Sequence, residues 1–258
     1  MDTTKNVTSV EIEKISRENV NDIQVKTDTV LKEYELNMII NNTIKRKFIC
    51  TNTSIKQLVY GHLFTQNYIE SASDILEFNY DEGKSSVYVI ITEEAFNKCK
   101  DRIDKVDILT TGFLYNDGSN KNFDDNKKDE VKINNFIAIM DNSKKILEGN
   151  DLFTETGCVH SAGLAFGDDI KYFETDIGRH NAVDKTIGRA LIAGDNLKDA
   201  ILYTTGRIPT DMIKKAVRAG IRIVATRASV TYDAIKIAKE NGIKLIGFSR
   251  GERVNIYS

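Results

Sequence analysis

AILYTTGRIPTDMIKKAVRAGIRIVATRASVTYDAIKIAKENGIKLIGF, residues 200–248, is the stretch on which the fold turns. Short β-branched and aliphatic runs at Ala200–Thr204, Ile221–Thr226 and Ile243–Phe248 read as strands. Between them, Thr210–Ala219 and Val230–Asn241 carry apolar residues at helical spacing, and Gly220 and Gly242 stand where helices stop. Upstream, Lys171–Thr175 adds a strand and Ala182–Ala193 a helix. Strands that alternate with single helices predict crossover connections and a largely parallel sheet. Val254–Tyr257 is expected to add an edge strand.

The chain before this block follows a different pattern. Residues 1–30 are polar and are expected to be frayed or extended. Leu36–Asn41 and Lys45–Thr51 read as a hairpin about Asn41-Asn42. A helix capped by Thr53 and Ser54 follows, with Ile55, Leu58, Val59 and Leu63 on its apolar face. Ser86–Ile91 reads as a strand, Thr92–Lys100 as a helix, and a short apolar segment runs to Leu109. Residues 116–130 are almost wholly polar and predict a mobile loop. Apolar positions across Ile133–Glu148 predict a helix ending at Gly149-Asn150. The expected organisation is a polar segment over 1–30, an α+β domain over 31–149 and an α/β domain over 150–258.

Composition narrows the function classes. With 258 residues and 41% hydrophobic content the chain can bury a core. No apolar run approaches the roughly 20 residues that cross a bilayer, and no signal-peptide core opens the sequence, so membrane insertion is not expected and the cytoplasm is the expected compartment. Cys50, Cys99 and Cys158 are odd in number and far apart, which suggests neither a disulfide framework nor a paired-cysteine metal site. Cys50 and Cys99 read as structural. Residues 1–150 carry 20 Lys+Arg against 25 Asp+Glu, whereas residues 200–258 carry 11 against 4. That local excess of positive charge points to an anionic ligand, or to a solvated basic surface. It lacks the basic helix of a nucleic-acid binder.

Three stretches carry candidate chemistry. Strand ends read Thr204-Thr205-Gly206-Arg207, Thr226-Arg227-Ala228-Ser229 and Phe248-Ser249-Arg250-Gly251, so three arginines are expected at one sheet edge, where open α/β sheets bind ligands. Paired guanidinium donors suit phosphate oxygens, and Gly206 and Gly251 would admit backbone N–H groups. The run Glu174 to Lys185 concentrates Asp176, Arg179, His180, Asn181, Asp184 and Lys185 at a helix mouth, either as caps with Asn181 at the N-cap or as a ligand-facing cluster with His180 moving protons. In Thr156–Gly163, Cys158 and His160 precede a small-residue segment read as a helix. There Cys158 is either a nucleophile, favoured by the helix dipole and a nearby imidazolium, or a small buried cysteine beside a core histidine.

Four motifs in order, Thr156–Ala162, Asp176–Lys185, Gly206-Arg207-Ile208 and Gly247–Tyr257, together resemble the formate dehydrogenase accessory sulfurtransferase family, FdhD. The resemblance covers 150–258. Over 31–110 it is weaker, resting on Cys50-Thr51 and the helix beyond it, without the proline that usually follows that threonine. It implies a cytidine-deaminase-like α/β sandwich in the C-terminal half, a homodimer, and the passage of sulfur from a cysteine desulfurase to a molybdenum or tungsten bis-pterin guanine dinucleotide needed by formate dehydrogenase. It also implies a cofactor site that includes Phe248, Ser249, Arg250, Gly251, Glu252 and Arg253; the strand-end and helix-mouth residues Gly206, Arg207, Arg227, Arg179, Asn181, Asp184 and Lys185 are expected to join that site, with GDP as a fragment ligand. The family's usual Cys-x-x-Cys loop has no counterpart, because Leu109–Tyr115 contains no cysteine. Two readings follow: Cys158, aided by His160, Ser161 and His180, is the sulfur carrier, or the protein is a cofactor-binding chaperone without sulfur chemistry. A zinc deaminase on the same fold would need His-x-Glu and Pro-Cys-x-x-Cys ligands, which are missing.

Overall fold

The computed structural model describes residues 6–18, 20–99, 108–109, 135–250 and 252–258. The loop expected over 116–130 lies outside them. Among the described residues no helix is long and apolar enough to cross a membrane.

The 200–248 block folds as the alternation predicts. Strands β10 (Ala200–Thr204), β11 (Ile223–Thr226) and β12 (Lys244–Arg250) are parallel, joined through helices α6 (Thr210–Ala219) and α7 (Tyr232–Glu240). Gly220 and Gly242 take φ of 73° and 60°, left-handed positions that glycine fills without steric cost. The sheet as a whole is mixed, not largely parallel. Its order is β13-β12-β11-β10-β8-β9, and β13 (Arg253–Ile256), β8 (His160–Phe166) and β9 (Asp169–Asp176) all pair antiparallel. The small-residue segment read as a helix is strand β8. It lies inside the sheet between β10 and the edge strand β9 and is buried on both faces, so its run of small residues has no alternation to reveal it.

Alternate residues of this sheet serve two cores. Leu164, Leu202, Val224 and Leu245 face the main core, with helix α5 (Arg179–Ala193), α6 and α7. Ala165, Tyr203, Ala225 and Ile246 face the other way, under Ile139 and Ile146 of α3 (Phe136–Glu148).

The first half forms a five-stranded sheet, β5-β6-β3-β4-β7. The expected hairpin is β3 (Tyr34–Ile40) and β4 (Ile44–Cys50), turned by Asn41 and Asn42 at φ of 45° and 57°. Such double positive φ matches the twist of a two-residue hairpin loop. Strand β6 (Ser86–Ile91) is as expected, β5 (Ile75–Asp81) is an addition, and β7 is Ile108–Leu109. Helix α2 is Glu93–Cys99, and α1 (Ile55–Thr65) begins after Ser54, which is left-handed at φ 51° and makes no side-chain cap. Of the two forms expected for the polar N-terminal segment, its described residues take the extended one: β1 (Val7–Ile15) and β2 (Ile23–Leu31) pair along their whole length as a separate ribbon.

Helices α1 and α5 join the halves at close range. A Cβ on Gly61 would strike the backbone of Asp184, and one on Gly188 the backbone carbonyl of Gln57. Buried ion pairs complete the joint. Lys185 Nζ lies 2.6 Å from Asp176 Oδ2 and 2.7 Å from Thr51 Oγ1, while Lys215 Nζ lies 2.6 Å from both oxygens of Asp184. Asp176 also accepts from Thr51 N, Gly178 N and Asn181 Nδ2, so the turn after β4 and the mouth of α5 share one carboxylate.

Candidate functional site

At the edge where β10 and β11 end and β8 begins, register sets the site. Thr204 pairs with both Ala162 and Thr226, which brings His160, Thr205 and Arg227 onto one rim. Thr205 Oγ1 accepts from Ser161 N at 2.9 Å and lies 3.4 Å from His160 Nδ1. Beyond β12, Arg250 Nε donates to the Arg227 carbonyl at 2.7 Å. Phe248 is left-handed at φ 50°, uncommon for a bulky residue, where the β12–β13 register shifts. The rim encloses a cavity of about 500 Å³ lined by Cys158, His160, Thr205, Arg227 and Arg250, with Phe153 and Ile177 among its apolar walls. Its size is that of a small-molecule pocket.

The electrostatics favour an anion. Arg227 is pulled below the usual arginine range by burial first and by Arg250 second, a sign of two cations in one another's field. Among the described residues no carboxylate lies within ion-pair distance of Arg179, Arg207, Arg227 or Arg250. An incoming phosphate would relieve that repulsion and accept paired hydrogen bonds. His160 is held below the ordinary histidine range by burial and then by Arg179, His180 and Arg207. It is therefore a neutral imidazole at pH 7, able to accept a proton, and not the imidazolium expected beside Cys158.

Cys158 is exposed, so it is not a core cysteine, but its helix is on the other side. It follows the C-terminal end of α4 (Asp151–Thr156), whose C-cap is Gly157. The expected support from a helix N-terminus is absent. The nearby N–H groups are also engaged: Gly157 N bonds Phe153 O at 2.7 Å and Cys158 N bonds Thr156 Oγ1 at 3.2 Å. Ser161, expected to stabilise sulfur, is buried, with its Oγ taken by Asn150 Nδ2 at 2.7 Å. Cys50 is a buried thiol pushed up to about 12 by burial and by Asp176, with Sγ 3.6 Å from the Tyr34 carbonyl, which fits the structural role expected of it. The side chain of Cys99 lies outside the described residues.

The run 174–185 divides. Gly178, not Asn181, is the N-cap of α5, and Asn181 sits within the first turn, donating to Ile49 O and Asp176. Asp184 and Lys185, expected to bind ligand, are completely enclosed in ion pairs and have no open surface. His180 is buried, with Nε2 at 2.8 Å from Asp211 Oδ2, although the ring N–H does not point along a hydrogen-bond line. Burial holds its pKa low, more strongly than Asp211 raises it. Arg179 packs on Gly206, where a Cβ would sit 2.8 Å from that of Arg179. Gly206 thus makes room for a side chain as well as for the turn. Arg207 is exposed at the same edge. Ser249 is buried, Glu252 and Arg253 are exposed at the β12–β13 turn outside the cavity lining, and Gly251 lies outside the described residues. Among the described residues no three His, Cys, Asp or Glu side chains gather as a metal-holding group. The lining residues outside the motifs are Leu147 and Phe153, apolar positions without a chemical signal of their own; Ile177 lies within the Asp176–Lys185 motif but is not among its candidate residues.

The model of the FdhD/NarQ family matches residues 31–258. The chain belongs to the FdhD/NarQ family. The ribbon β1–β2 lies almost entirely before the matched segment. Among FdhD/NarQ relatives, the chain is 33% identical over 264 aligned positions to the sulfur carrier protein FdhD of Wolinella succinogenes, covering 98% of this chain and 87% of that one. It is 31% identical to the sulfur carrier protein FdhD of Bacillus subtilis, covering 90% and 88%. In structure it resembles a candidate formate dehydrogenase accessory protein from Desulfotalea psychrophila, with a TM-score of 0.75, 23% identity and coverage of 98% and 97%. That likeness shows a shared fold.

Proposed function

We propose that this chain is a sulfur carrier for formate dehydrogenase maturation, with Cys158 as the carrier and the cavity at the strand ends as the place where the recipient is held. The observation that carries this reading is the exposed Cys158 thiol in one cavity with His160, Arg227 and Arg250. The relatives named sulfur carrier proteins support it.

The chemistry is thiol exchange at sulfane sulfur. The Cys158 thiolate attacks the outer sulfur of a persulfide on a cysteine desulfurase, and the desulfurase cysteine leaves as thiolate. Neutral His160 is suited to take the thiol proton. In delivery, an electron pair of the recipient attacks the outer sulfur, the S–S bond breaks with its own pair returning to Cys158 as thiolate, and the recipient supplies the two electrons that reduce the sulfane sulfur it gains. The recipient proposed is the molybdenum or tungsten bis-pterin guanine dinucleotide of formate dehydrogenase, handled as cargo. Arg227 and Arg250 would grip its phosphate oxygens, with Arg179 and Arg207 farther along the same edge. A cavity of about 500 Å³ admits one part of so large a molecule, so most of it would lie across the open rim. A cytidine-deaminase-like sandwich, a homodimer and a cytoplasmic location belong to the same proposal.

One observation favours the second reading, a cofactor-holding chaperone without sulfur chemistry: α4 presents its carbonyl end, not free N–H groups, to Cys158. A Cys158→Ala variant separates the two. In cells lacking the native factor it is expected to lose formate dehydrogenase activity while the purified protein keeps wild-type GDP affinity. Full restoration of activity by this variant would establish the chaperone reading instead.

A further inference from the structure

The segment that bears Cys158 is closed on itself by side chains. Asn150 is buried at its start, and its carboxamide has two partners: Oδ1 accepts from Phe153 N at 3.0 Å, capping α4, and Nδ2 donates to Ser161 Oγ at 2.7 Å, on the second residue of β8. Its carbonyl accepts from Thr154 N at 3.0 Å and Thr154 Oγ1 at 3.2 Å. Ser161 is in turn fixed in the sheet, because its N–H reaches Thr205 Oγ1 and its carbonyl accepts from Thr205 N at 3.0 Å. At the far end of α4, Thr156 Oγ1 donates to Leu152 O at 2.7 Å and accepts from Cys158 N at 3.2 Å. The helix has only six residues, too short to hold its own conformation in water. Its direction therefore depends on its anchors, of which Leu152 is the buried apolar one.

We infer that Asn150 is the positioning residue of this site: its bond to Ser161 ties the start of α4 to β8 and so holds Cys158 against the rim that carries Arg227 and Arg250. Asn150 does not line the cavity and touches no reacting group; it acts through the placement of the loop. A helix cap alone would need only an acceptor, and a serine or aspartate would serve. The carboxamide donates as well, and the partner it reaches belongs to the strand on which His160 stands. The consequence for delivery rests on the reading of Cys158 as the carrier.

A spin label on Cys158 tests the placement without reference to sulfur. In the full chain with Cys99→Ser, and with Cys50 buried, a nitroxide reports this position alone. The expected spectrum is immobilised in the parent and mobile in Asn150→Ala and in Ser161→Ala. The double variant should be no more mobile than Asn150→Ala, since the bond that Ser161→Ala removes is already absent there. In the unlabelled protein, Asn150→Ala should slow sulfur delivery on the order of 10- to 100-fold in kcat with KM for the recipient nearly unchanged, as misplacement of a reacting group does. An unchanged spectrum in Asn150→Ala overturns the inference, as does a mobile Asn150→Ala beside an unchanged Ser161→Ala, which would reduce Asn150 to a helix cap. The carrier reading stands or falls separately on Cys158→Ala.

Discussion

Lys185 and Arg250 carry the same charge in opposite settings. Lys185 is fully enclosed, with Asp176 at 2.6 Å and Thr51 Oγ1 at 2.7 Å, so each of these groups is answered within the protein. Arg250 is exposed, donates one bond to a carbonyl, and faces another arginine with no carboxylate in reach among the described residues. The enclosed cluster includes Asp184 and Lys215 and forms part of the joint between the halves. The open cluster forms no ion pair among the described residues, and only Glu148 acts on Arg227 in the opposite sense to Arg250, which leaves the excess of positive charge that an anion site needs. Charge content alone does not distinguish a joint from a site; the presence of a partner does.

Breaking the enclosed cluster should have the largest effect. Asp184→Ala leaves Lys215 and His62 buried without their carboxylate, and such a loss costs about 3–5 kcal/mol of folding stability, measurable by urea denaturation. Replacing both members with apolar residues, as in Asp184→Leu with Lys215→Met, should cost less than the single change, because no charge is left stranded. The open cluster should respond in the reverse sense. Arg250→Ala is expected to weaken GDP binding on the order of 1.5–3 kcal/mol in calorimetry, in a salt-sensitive manner, while the urea midpoint stays put. Equal losses of stability in both experiments would erase the distinction between the clusters.

The helix joint offers a neutral control for the enclosed region. Gly188→Ala places a methyl group against the backbone of α1 and should cost about 1–3 kcal/mol of stability with no effect on GDP affinity once the protein is folded.

The smallest effect expected is on pH dependence, and its sign follows from burial. His62 and His180 are held below the ordinary histidine value of 6.5, chiefly by desolvation. The unfolded chain therefore binds protons that the fold refuses, so stability is complete above about pH 6.5 and falls as pH drops below it. Asp184, lowered to about 2 against burial by Lys215 and His62, adds a second loss in the same direction as pH falls below 3.8. Thermal melts should be level from pH 7 to 8 and decline from pH 6.5 to 5, with a shallower decline in His180→Gln. A melting temperature that rises on acidification would contradict the burial of neutral histidines.

Much of this architecture can be read from local signals. Asn41-Asn42, Gly220 and Gly242 announce their turns because only certain residues accept positive φ, and β10 to β12 announce themselves through alternation with amphipathic helices. Strand β8 gives no such signal, since its middle residues are small and buried on both faces, and at Gly163 packing is the reason: a Cβ there would sit 3.2 Å from both Ile146 Cγ2 and the Tyr172 carbonyl. The ribbon β1–β2 is hidden by its exposure, with little apolar face to mark it. For the site, the strand-end arginines and the pairing of Cys158 with His160 are legible as motifs, and Arg227, Arg250, Cys158 and His160 do meet in one cavity. What the motifs do not convey is partnership. Asp184 and Lys185 look like ligand-facing charges until Lys215, thirty residues farther along, and Asp176 are seen to enclose them. The direction of α4, which sets what supports Cys158, is likewise fixed by contacts distant in sequence.

Cys158 is proposed to carry sulfur in a cavity lined by arginines. The most direct measurement is cysteine-resolved mass spectrometry of the full chain after incubation with a cysteine desulfurase and cysteine, before and after addition of the purified molybdenum cofactor. The expected result is one added sulfur atom on the peptide containing Cys158, none on that containing Cys50, and loss of the added sulfur when the cofactor is supplied. An unmodified Cys158 peptide beside wild-type restoration of formate dehydrogenase activity would contradict it.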